Sequence, residues 1–385
     1  MTYYEDTTKD PMLSSKVIDL VDTWDEGIES TDAQFKSTLK QYNKLIKYKY
    51  LFIAICVAII FIVAGYSISL GAYDISFWDT YDYLWRHITG SIGDSAEDMA
   101  KDRIIWDYRL PRIIFAIAGG AALAVVGAVM QSILKNPLAD SYTTGVSSGA
   151  GFGAAFAISL GLTMGNSWIL IIFAFCFALI PTMVIIAVSR LSNAAPTTMI
   201  MAGIGIMYVF NAATSVLMLW SDPNAMKDIY AWQIGSLSNK GVTIDNVPLV
   251  LICSIVGVFI LWLSSGKINV LATGDESSKA LGIDADKLRI ILLLISGVLA
   301  SAIVSFVGLV GFVGLVTPHI CRIFIGADNK YLIPASAISG GMIMLCADQI
   351  GRSLISTPLP VGVVMAFIGG PVFLWLILRR SEKVW

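Results

Sequence analysis

The sequence contains few charged residues. Only 14% of its 385 residues are Asp, Glu, Lys or Arg, whereas 56% are hydrophobic, and soluble domains carry about a quarter charged residues. So little charge cannot cover a water-facing surface, which indicates a protein of the lipid bilayer. The net charge of -2 also lacks the basic excess that binding to a phosphate backbone requires, so nucleic acid is not expected as a partner.

The sequence also lacks the motifs of metal sites and of nucleotide hydrolysis. Its two histidines, His87 and His319, form no H-E-x-x-H pattern, and its five cysteines show no C-x-x-C spacing. We therefore expect no metal site and no cofactor, and we interpret the cysteines and His319 as structural residues. A phosphate loop of the form G-x-x-x-x-G-K-[ST] is absent as well, so ATP hydrolysis would require a separate subunit.

The sequence does contain long uncharged runs. A helix needs about 20 apolar residues to cross the bilayer, because lipid offers no partner to unpaired backbone groups. Two runs are too long for one crossing: 141–189, with a turn signal at Gly161–Asn166, and 290–321, with glycines from Gly308 to Gly314 at the expected break. Counting each as two spans predicts an all-α integral membrane protein of about ten transmembrane helices. The other six runs are 51–70, 113–134, 191–221, 247–263, 331–347 and 361–378.

The residues ahead of the first run have a different composition. The first 34 residues hold nine carboxylates and two lysines, and a basic stretch follows from Phe35 to Tyr50. We expect a cytoplasmic N-terminal tail over 1–50 and a transmembrane domain over 51–385, with a partner-binding helix as the alternative for the tail. Placing both termini in the cytoplasm puts 18 of the 26 basic residues on that side, as is typical of multi-pass proteins of the plasma membrane. The loop Gly71–Arg109 lies outside in this topology and is expected to be structured.

Four polar islands separate the apolar runs. The first reads RLPR at 109–112 and is followed by the small residues GGAA at 119–122, which favour close approach of neighbouring helices. The second reads NPLAD at 136–140, the third GDESSKALGI at 274–283, and the fourth GFVGLVTPH at 311–319. Together and in this order, the four islands closely resemble the FecCD-type permeases of ATP-binding cassette importers for iron-siderophores, haem and vitamin B12. The resemblance covers roughly residues 51–380.

The resemblance implies a fold and a set of partners. The expected fold is a type II ABC importer-like permease. Two permease subunits, identical or related, would enclose the pathway. A separate cytoplasmic ATPase subunit would drive transport, an extracytoplasmic substrate-binding protein would deliver the cargo, and membrane lipid would surround the assembly.

The second island and the fifth span point to the pathway. Proline disfavours helix at the residue before it, so Asn136-Pro137 is expected to end the second span. The resemblance places Asn136 and Leu138 at the cytoplasmic gate, with a plain helix stop as the alternative.

The resemblance also implies that the fifth span lines the pathway. Pro196 stands where relatives can carry a gating hydroxyl, so the identity of the gating side chain stays open. Polar residues at helical spacing toward the outer end of that span favour the same interpretation: Thr197, Thr198, Tyr208, Asn211 and Thr214.

The resemblance further implies two contact surfaces. Arg109, Arg112 and Arg352 would receive acidic residues of the substrate-binding protein; the alternative is that they extend to headgroups or pair with Asp107 and Asp348. The loop from Thr273 to Arg289 would fit the ATPase subunit, with a solvated connector as the alternative. Its expected coupling residues are Asp275, Glu276, Ala280, Leu281 and Gly282.

Two other functional classes fit the sequence less well. An intramembrane enzyme requires paired carboxylates or a Ser/His constellation at membrane depth. Asp140 and Asp348 are the only carboxylates near span ends with polar neighbours, and they are predicted on opposite sides of the bilayer. A secondary transporter, the second alternative, usually carries an intramembrane charge, which the predicted spans lack. We therefore expect a permease that is not itself an enzyme, and its cargo among siderophores, haem, corrinoids and oxyanions stays open.

Overall fold

The computed structural model of the chain describes residues 44, 46–69, 75–93, 95–163, 166–191, 195–354 and 358–379. It divides into a unit Met1–Phe52 and a unit Ile53–Trp385. Almost all of the predicted tail over 1–50 lies outside the described residues.

The described part of the chain contains helices and no strands, and the predicted all-α architecture is confirmed. Seven helices are long and apolar enough to cross a membrane, and three shorter apolar helices accompany them. These ten helices coincide with the ten predicted spans. They are α1 (Ile46–Ser69), α4 (Leu110–Ile133), α5 (Val146–Ser159), α6 (Ser167–Leu191), α7 (Pro196–Trp220), α9 (Val247–Leu263), α12 (Ala285–Val307), α13 (Val313–Ile325), α14 (Asn329–Ser353) and α15 (Val361–Arg379).

Both overlong runs break near the predicted glycines. Gly161, between α5 and α6, has φ 68°, and Gly308, between α12 and α13, has φ 78°. Glycine adopts this left-handed region without the steric penalty that a Cβ imposes. Gly314 was expected in the second break but lies inside α13, where it packs against α4.

Helix α4 forms the centre of the fold. It is the most deeply buried of the long helices and packs against α9, α12, α13 and α14. A Cβ on Gly120 would lie 2.3 Å from the carbonyl oxygen of Gly340, and one on Gly127 would lie 1.8 Å from that of Gly314. The predicted close approach at the small residues of α4 is therefore confirmed, since only glycine leaves room for this backbone contact.

Shorter helices lie at both ends of α4. At its N-terminal end, α2 (Phe77–Thr89), α3 (Ala96–Arg103) and a π-helical turn (Ile104–Arg109) form the structured surface predicted for the loop after the first span. We call this the α2 end. Helices α10 (Ser265–Thr273) and α11 (Asp275–Ala280) lie at the other end, the α11 end. Helix α8 (Pro223–Gln233) and a 3-10 turn (Ile244–Asn246) connect α7 to α9.

The ninth span extends further than its uncharged run, which matters for the site. The uncharged run ends at Ala347, whereas α14 continues to Ser353 and includes Asp348 and Arg352. Asp348 is the charged residue that ends the uncharged run. The helix continues through it because the carboxylate is paired inside the protein with Arg112 on α4.

Candidate translocation pathway and its two ends

Helix α7 exposes polar side chains along one face. Only 17% of its most apolar window is buried, the smallest share among the seven long helices. Thr197, Tyr208 and Asn211 are all exposed. They share a face, because residues 197 and 208 are about three helical turns apart and residue 211 follows within one turn. The same face also exposes Met201 and Ile204, so we use the name polar stripe for its three polar residues only. Lipid would offer these groups no hydrogen-bond partner, so the polar stripe suits a water-filled pathway or a second protein subunit.

The other two predicted wall residues, Thr198 and Thr214, are less exposed than Thr197, Tyr208 and Asn211. Thr214 is buried, and its hydroxyl donates to the carbonyl of Phe210 within the same helix at 2.8 Å. Thr198 and Thr197 lie in the first turn of α7. The predicted polar residues are therefore spread along α7 and not gathered toward its outer end. A threonine hydroxyl such as that of Thr214 can donate a hydrogen bond to a carbonyl of its own helix at any depth in the membrane.

The segment between α4 and α5 carries the predicted gate residues. Asn136 accepts a hydrogen bond from the backbone N–H of Leu138 through Oδ1 at 2.8 Å, so it forms the turn that follows α4. Leu138 is 45% exposed. The same segment packs against α7, since a Cβ on Gly203 would lie 2.8 Å from the carbonyl oxygen of Thr143. The structure thus brings Asn136 and Leu138 onto a loop that contacts the helix with the polar stripe, and their gating role stays a prediction.

Irregular backbone from several segments meets beside this loop. A cleft of about 410 Å³ forms where the loop between α4 and α5, the end of α8, the break before α13 and the start of α15 converge. Non-helical backbone among membrane helices is tolerated only where it is buried in protein or lines a water-filled cavity. The cleft is therefore a candidate part of the pathway. Its lining includes Asp140, Tyr142, Gln233, Leu309, Phe312 and Val363.

An ion network fixes α11 at the other end of α4. Asp275 Oδ1 accepts hydrogen bonds from Lys135 Nζ at 2.9 Å and from Arg289 Nη2 at 2.7 Å. Arg289 is fully buried and also donates from Nε to the carbonyl of Ile133 at 3.0 Å. Burial alone would raise the pKa of Asp275, but the hydrogen bonds and positive charges of Lys135 and Arg289 together lower it below its ordinary value of 3.8. The network joins the end of α4, the start of α11 and the start of α12.

The residues after Asp275 form an exposed tip. Glu276 and Ala280 are exposed, and Leu281 is 67% exposed. Gly282 has φ 76° and donates its N–H to the carbonyl of Lys279 at 3.0 Å, which ends α11 with a left-handed glycine. An apolar side chain held at the tip of a charged loop suits a protein contact, and the ATPase-coupling role of this tip stays a prediction.

The three predicted docking arginines lie together at the α2 end, but each already has partners inside the chain. Arg112 binds Asp348 through Nε at 2.8 Å and Nη2 at 2.7 Å and donates from Nη1 to Ser238 Oγ at 2.6 Å. Arg109 is buried and donates to the carbonyl of Ile68. Arg352 donates to the carbonyl and hydroxyl oxygens of Ser67 at 3.2 and 3.1 Å. These contacts favour the predicted alternative of internal pairing for Arg112, and docking stays a prediction for all three.

The carboxylates considered for catalysis are far apart. Asp348 pairs with Arg112 at the N-terminal end of α4, whereas Asp140 follows the C-terminal end of α4 and accepts the backbone N–H groups of Tyr142 and Thr143 at 3.0 and 2.9 Å. They form no pair for acid–base chemistry. Among the described residues, no cluster of three His, Cys, Asp or Glu side chains could hold a metal ion. His319 Nδ1 lies 2.9 Å from the carbonyl oxygen of Leu315, as predicted for a structural histidine.

Several polar contacts were not predicted. Arg289 is the last residue of the predicted loop from Thr273, yet it is the largest fully buried side chain described. Arg322 lies inside α13, 9% exposed, and donates to Gln131 of α4. The sequence does carry a signal for Arg289, because an acidic residue three positions earlier, Asp286, lies on its face of α12 at 3.5 Å. The carbonyl of Ile133 that Arg289 binds and the Gln131 that Arg322 binds lie 156 and 191 positions away along the chain, which no local pattern reveals.

Comparison with known proteins agrees with this architecture. The model of the FecCD transport family matches residues 56–379. The haemin transport system permease of Yersinia pestis is 33% identical over 334 residues, covering 84% of this chain and 93% of its own. The cobalamin import system permease of Halobacterium salinarum is 36% identical, covering 73% of this chain and 74% of its own. A solved inward-facing structure of a metal-chelate type ABC transporter superposes with a TM-score of 0.74 at 28% identity and covers 85% of this chain and 98% of that one.

Proposed function

The chain belongs to the FecCD transport family of ABC importer permeases, and we propose that it carries an iron-siderophore, haem or corrinoid complex into the cytoplasm. The cargo class is supported by the haemin and cobalamin transport of the two relatives. It is also supported by the cleft, whose lining is mostly apolar or uncharged and suits a large chelate better than a bare cation. A secondary transporter driven by an ion gradient is the alternative.

The polar stripe of α7 is the observation that carries the proposal. A span that exposes Tyr208 and Asn211 near its middle needs a partner other than lipid for these polar groups. A second permease subunit, identical or related, supplies that cover and encloses the pathway between the two stripes. The loop with Asn136 and Leu138 then stands at one end of the pathway, beside α7.

The two ends of α4 give the transporter its direction. The chain lies in the plasma membrane, and its α11 end and both termini face the cytoplasm. The exposed tip at Leu281 contacts a separate ATP-hydrolysing subunit. The α2 end faces outward and receives an extracytoplasmic substrate-binding protein. The ion network around Asp275 joins the tip to α4 and α12, so that movement of the ATPase is transmitted to the two helices that lead into the segments lining the cleft.

Thiol accessibility tests the pathway. Asn211→Cys lies on the polar stripe, and Ile255→Cys on α9 is the matched control, since Ile255 is 64% exposed on an apolar helix. The unsubstituted protein gives the background labelling of the native cysteines. A membrane-impermeant thiol reagent should modify Asn211→Cys in proteoliposomes and leave Ile255→Cys unmodified. Equal protection of both positions would contradict a water-filled pathway along α7.

A further inference from the structure

Helix α2 presents an exposed apolar face. Trp78, Tyr81, Trp85 and Ile88 follow one another at spacings of three and four residues, which places them along one face of the helix. Their exposed fractions are 78%, 40%, 67% and 69%. Two exposed tryptophans and an isoleucine along a single helix face form an apolar patch whose exposure to water is unfavourable.

The opposite face of α2 is held rigidly by the segment that follows. Tyr83 is buried and its hydroxyl donates to Asp98. His87 Nδ1 lies 2.8 Å from Asp102 Oδ1, and its ring stacks on Trp106 with centroids 3.8 Å apart. The exposed apolar face is therefore fixed in one orientation and cannot turn inward to bury its tryptophans.

The position of α2 along α1 identifies what covers this face. Tyr81 Oη donates to the carbonyl of Phe61 at 3.2 Å, and a Cβ on Gly65 would lie 2.4 Å from the same hydroxyl oxygen. Phe61 stands eight residues before Ser69, the end of α1, which is about 12 Å along the helix axis. Helix α2 thus folds back beside the apolar part of a transmembrane helix instead of projecting beyond its end.

The apolar face of α2 continues the outer surface of α1. Around the contact, α1 exposes Phe61, Ile62 and Tyr66, at 65%, 63% and 51%. The neighbouring face of α2 is charged, with Asp82 and Arg86 paired at 2.6 Å. Tryptophan and tyrosine favour the boundary between headgroups and acyl chains, and an amphipathic helix with such a face lies in that boundary.

We propose that α2 is an interfacial anchor, with Trp78, Trp85 and Ile88 inserted among the lipids of the leaflet at the α2 end and the Asp82–Arg86 pair among the headgroups. The anchor holds the π-helical turn that leads into α4, because α2 is joined to that turn through His87 and Trp106. A protein partner is a poorer fit for this face, since a soluble protein would have to reach beside α1 below the headgroup layer.

Spin labels on α2 test the anchor. Trp85→Cys and Trp78→Cys place the label on the apolar face, and Asp79→Cys is the matched control on the exposed polar face of the same helix. The full-length protein is placed in phosphatidylcholine nanodiscs, and collision of the label with oxygen, which concentrates in lipid, is compared with collision with a water-soluble nickel chelate. The labelled parent protein supplies the background from native cysteines.

The ratio of oxygen to nickel accessibility should be several-fold higher at positions 78 and 85 than at position 79. Ratios at 78 and 85 equal to that at 79 would show that the face is in water and overturn the proposal. Protection of 78 and 85 from both reagents would show that protein covers the face, either a second copy or a binding protein, and would also overturn it. All three substituted side chains are exposed, so the replacements leave the packed face of α2 intact.

Discussion

The guanidinium of Arg112 on α4 binds both carboxylate oxygens of Asp348 on α14, with Nε 2.8 Å from Oδ2 and Nη2 2.7 Å from Oδ1. The two side chains are 15% and 1% exposed. Because removal of one partner leaves a buried charge alone, we expect Arg112→Gln or Asp348→Asn to lower the stability by about 3 kcal/mol. Thermal unfolding in nanodiscs measures the loss.

The charge-swapped variant, Arg112→Asp with Asp348→Arg, provides the control for this pair. It keeps the two opposite charges between α4 and α14, so it should recover part of the stability that each single change removes. A double variant whose loss of stability equals the sum of the losses of Arg112→Asp and Asp348→Arg measured singly would show that the two charges are not coupled.

Arg352 offers the cleanest test of docking among the three arginines. It donates to the carbonyl and hydroxyl oxygens of Ser67, and Arg352→Gln removes the charge while keeping a hydrogen-bonding group. We expect a several-fold loss of affinity for the substrate-binding protein, largest at low salt because salt screens exposed charges. Arg103→Gln, at a side chain 76% exposed at the same end, is the control. An equal effect of both substitutions would indicate general charge attraction and no docking site at Arg352.

The exposed tip after α11 should couple the chain to its ATPase. Leu281→Asp places a charge where an apolar contact is proposed, and we expect loss of complex formation or a drop of tenfold or more in substrate-stimulated ATP turnover, corresponding to about 1.4 kcal/mol. Leu281→Met keeps a similar apolar volume and should be close to the parent protein. Co-purification and ATPase assays of the complex measure both. Normal coupling in Leu281→Asp would show that the loop is a connector.

Asp275 links the tip to the helices. Asp275→Asn leaves the fully buried Arg289 without its closest carboxylate, so we expect a loss of about 1.5–3 kcal/mol, as for hydrogen bonds to charged groups. The folded pKa of Asp275 lies below its ordinary 3.8, so the stabilisation is complete above pH 3.8 and is lost as pH falls through the lower folded pKa. Stability measured from pH 7 to pH 3 should show this acid component in the parent protein, and Asp275→Asn should lack it.

The spans could be predicted because their signal is local. Uncharged runs, together with glycines such as Gly161 and Gly308 that adopt left-handed conformations, mark helices and breaks without knowledge of neighbouring helices. Charged residues inside helices could not be placed from the sequence for the opposite reason. Asp348 and Arg289 look like loop residues along the chain, and only partners on other helices make them tolerable inside the fold. The folding back of α2 beside α1 was likewise hidden, because the contact between Tyr81 and Phe61 depends on tertiary packing.

The measurement that tests the transport function most directly is uptake into proteoliposomes that contain the chain, its ATPase subunit and any second permease subunit, with the substrate-binding protein outside. Radiolabelled ferric siderophore, haemin and cobalamin serve as cargoes. One of these should accumulate only when ATP is enclosed on the ATPase side, and the chain without its partners should hydrolyse no ATP. Uptake that follows a proton or sodium gradient and proceeds without ATP would contradict the account and establish a secondary transporter.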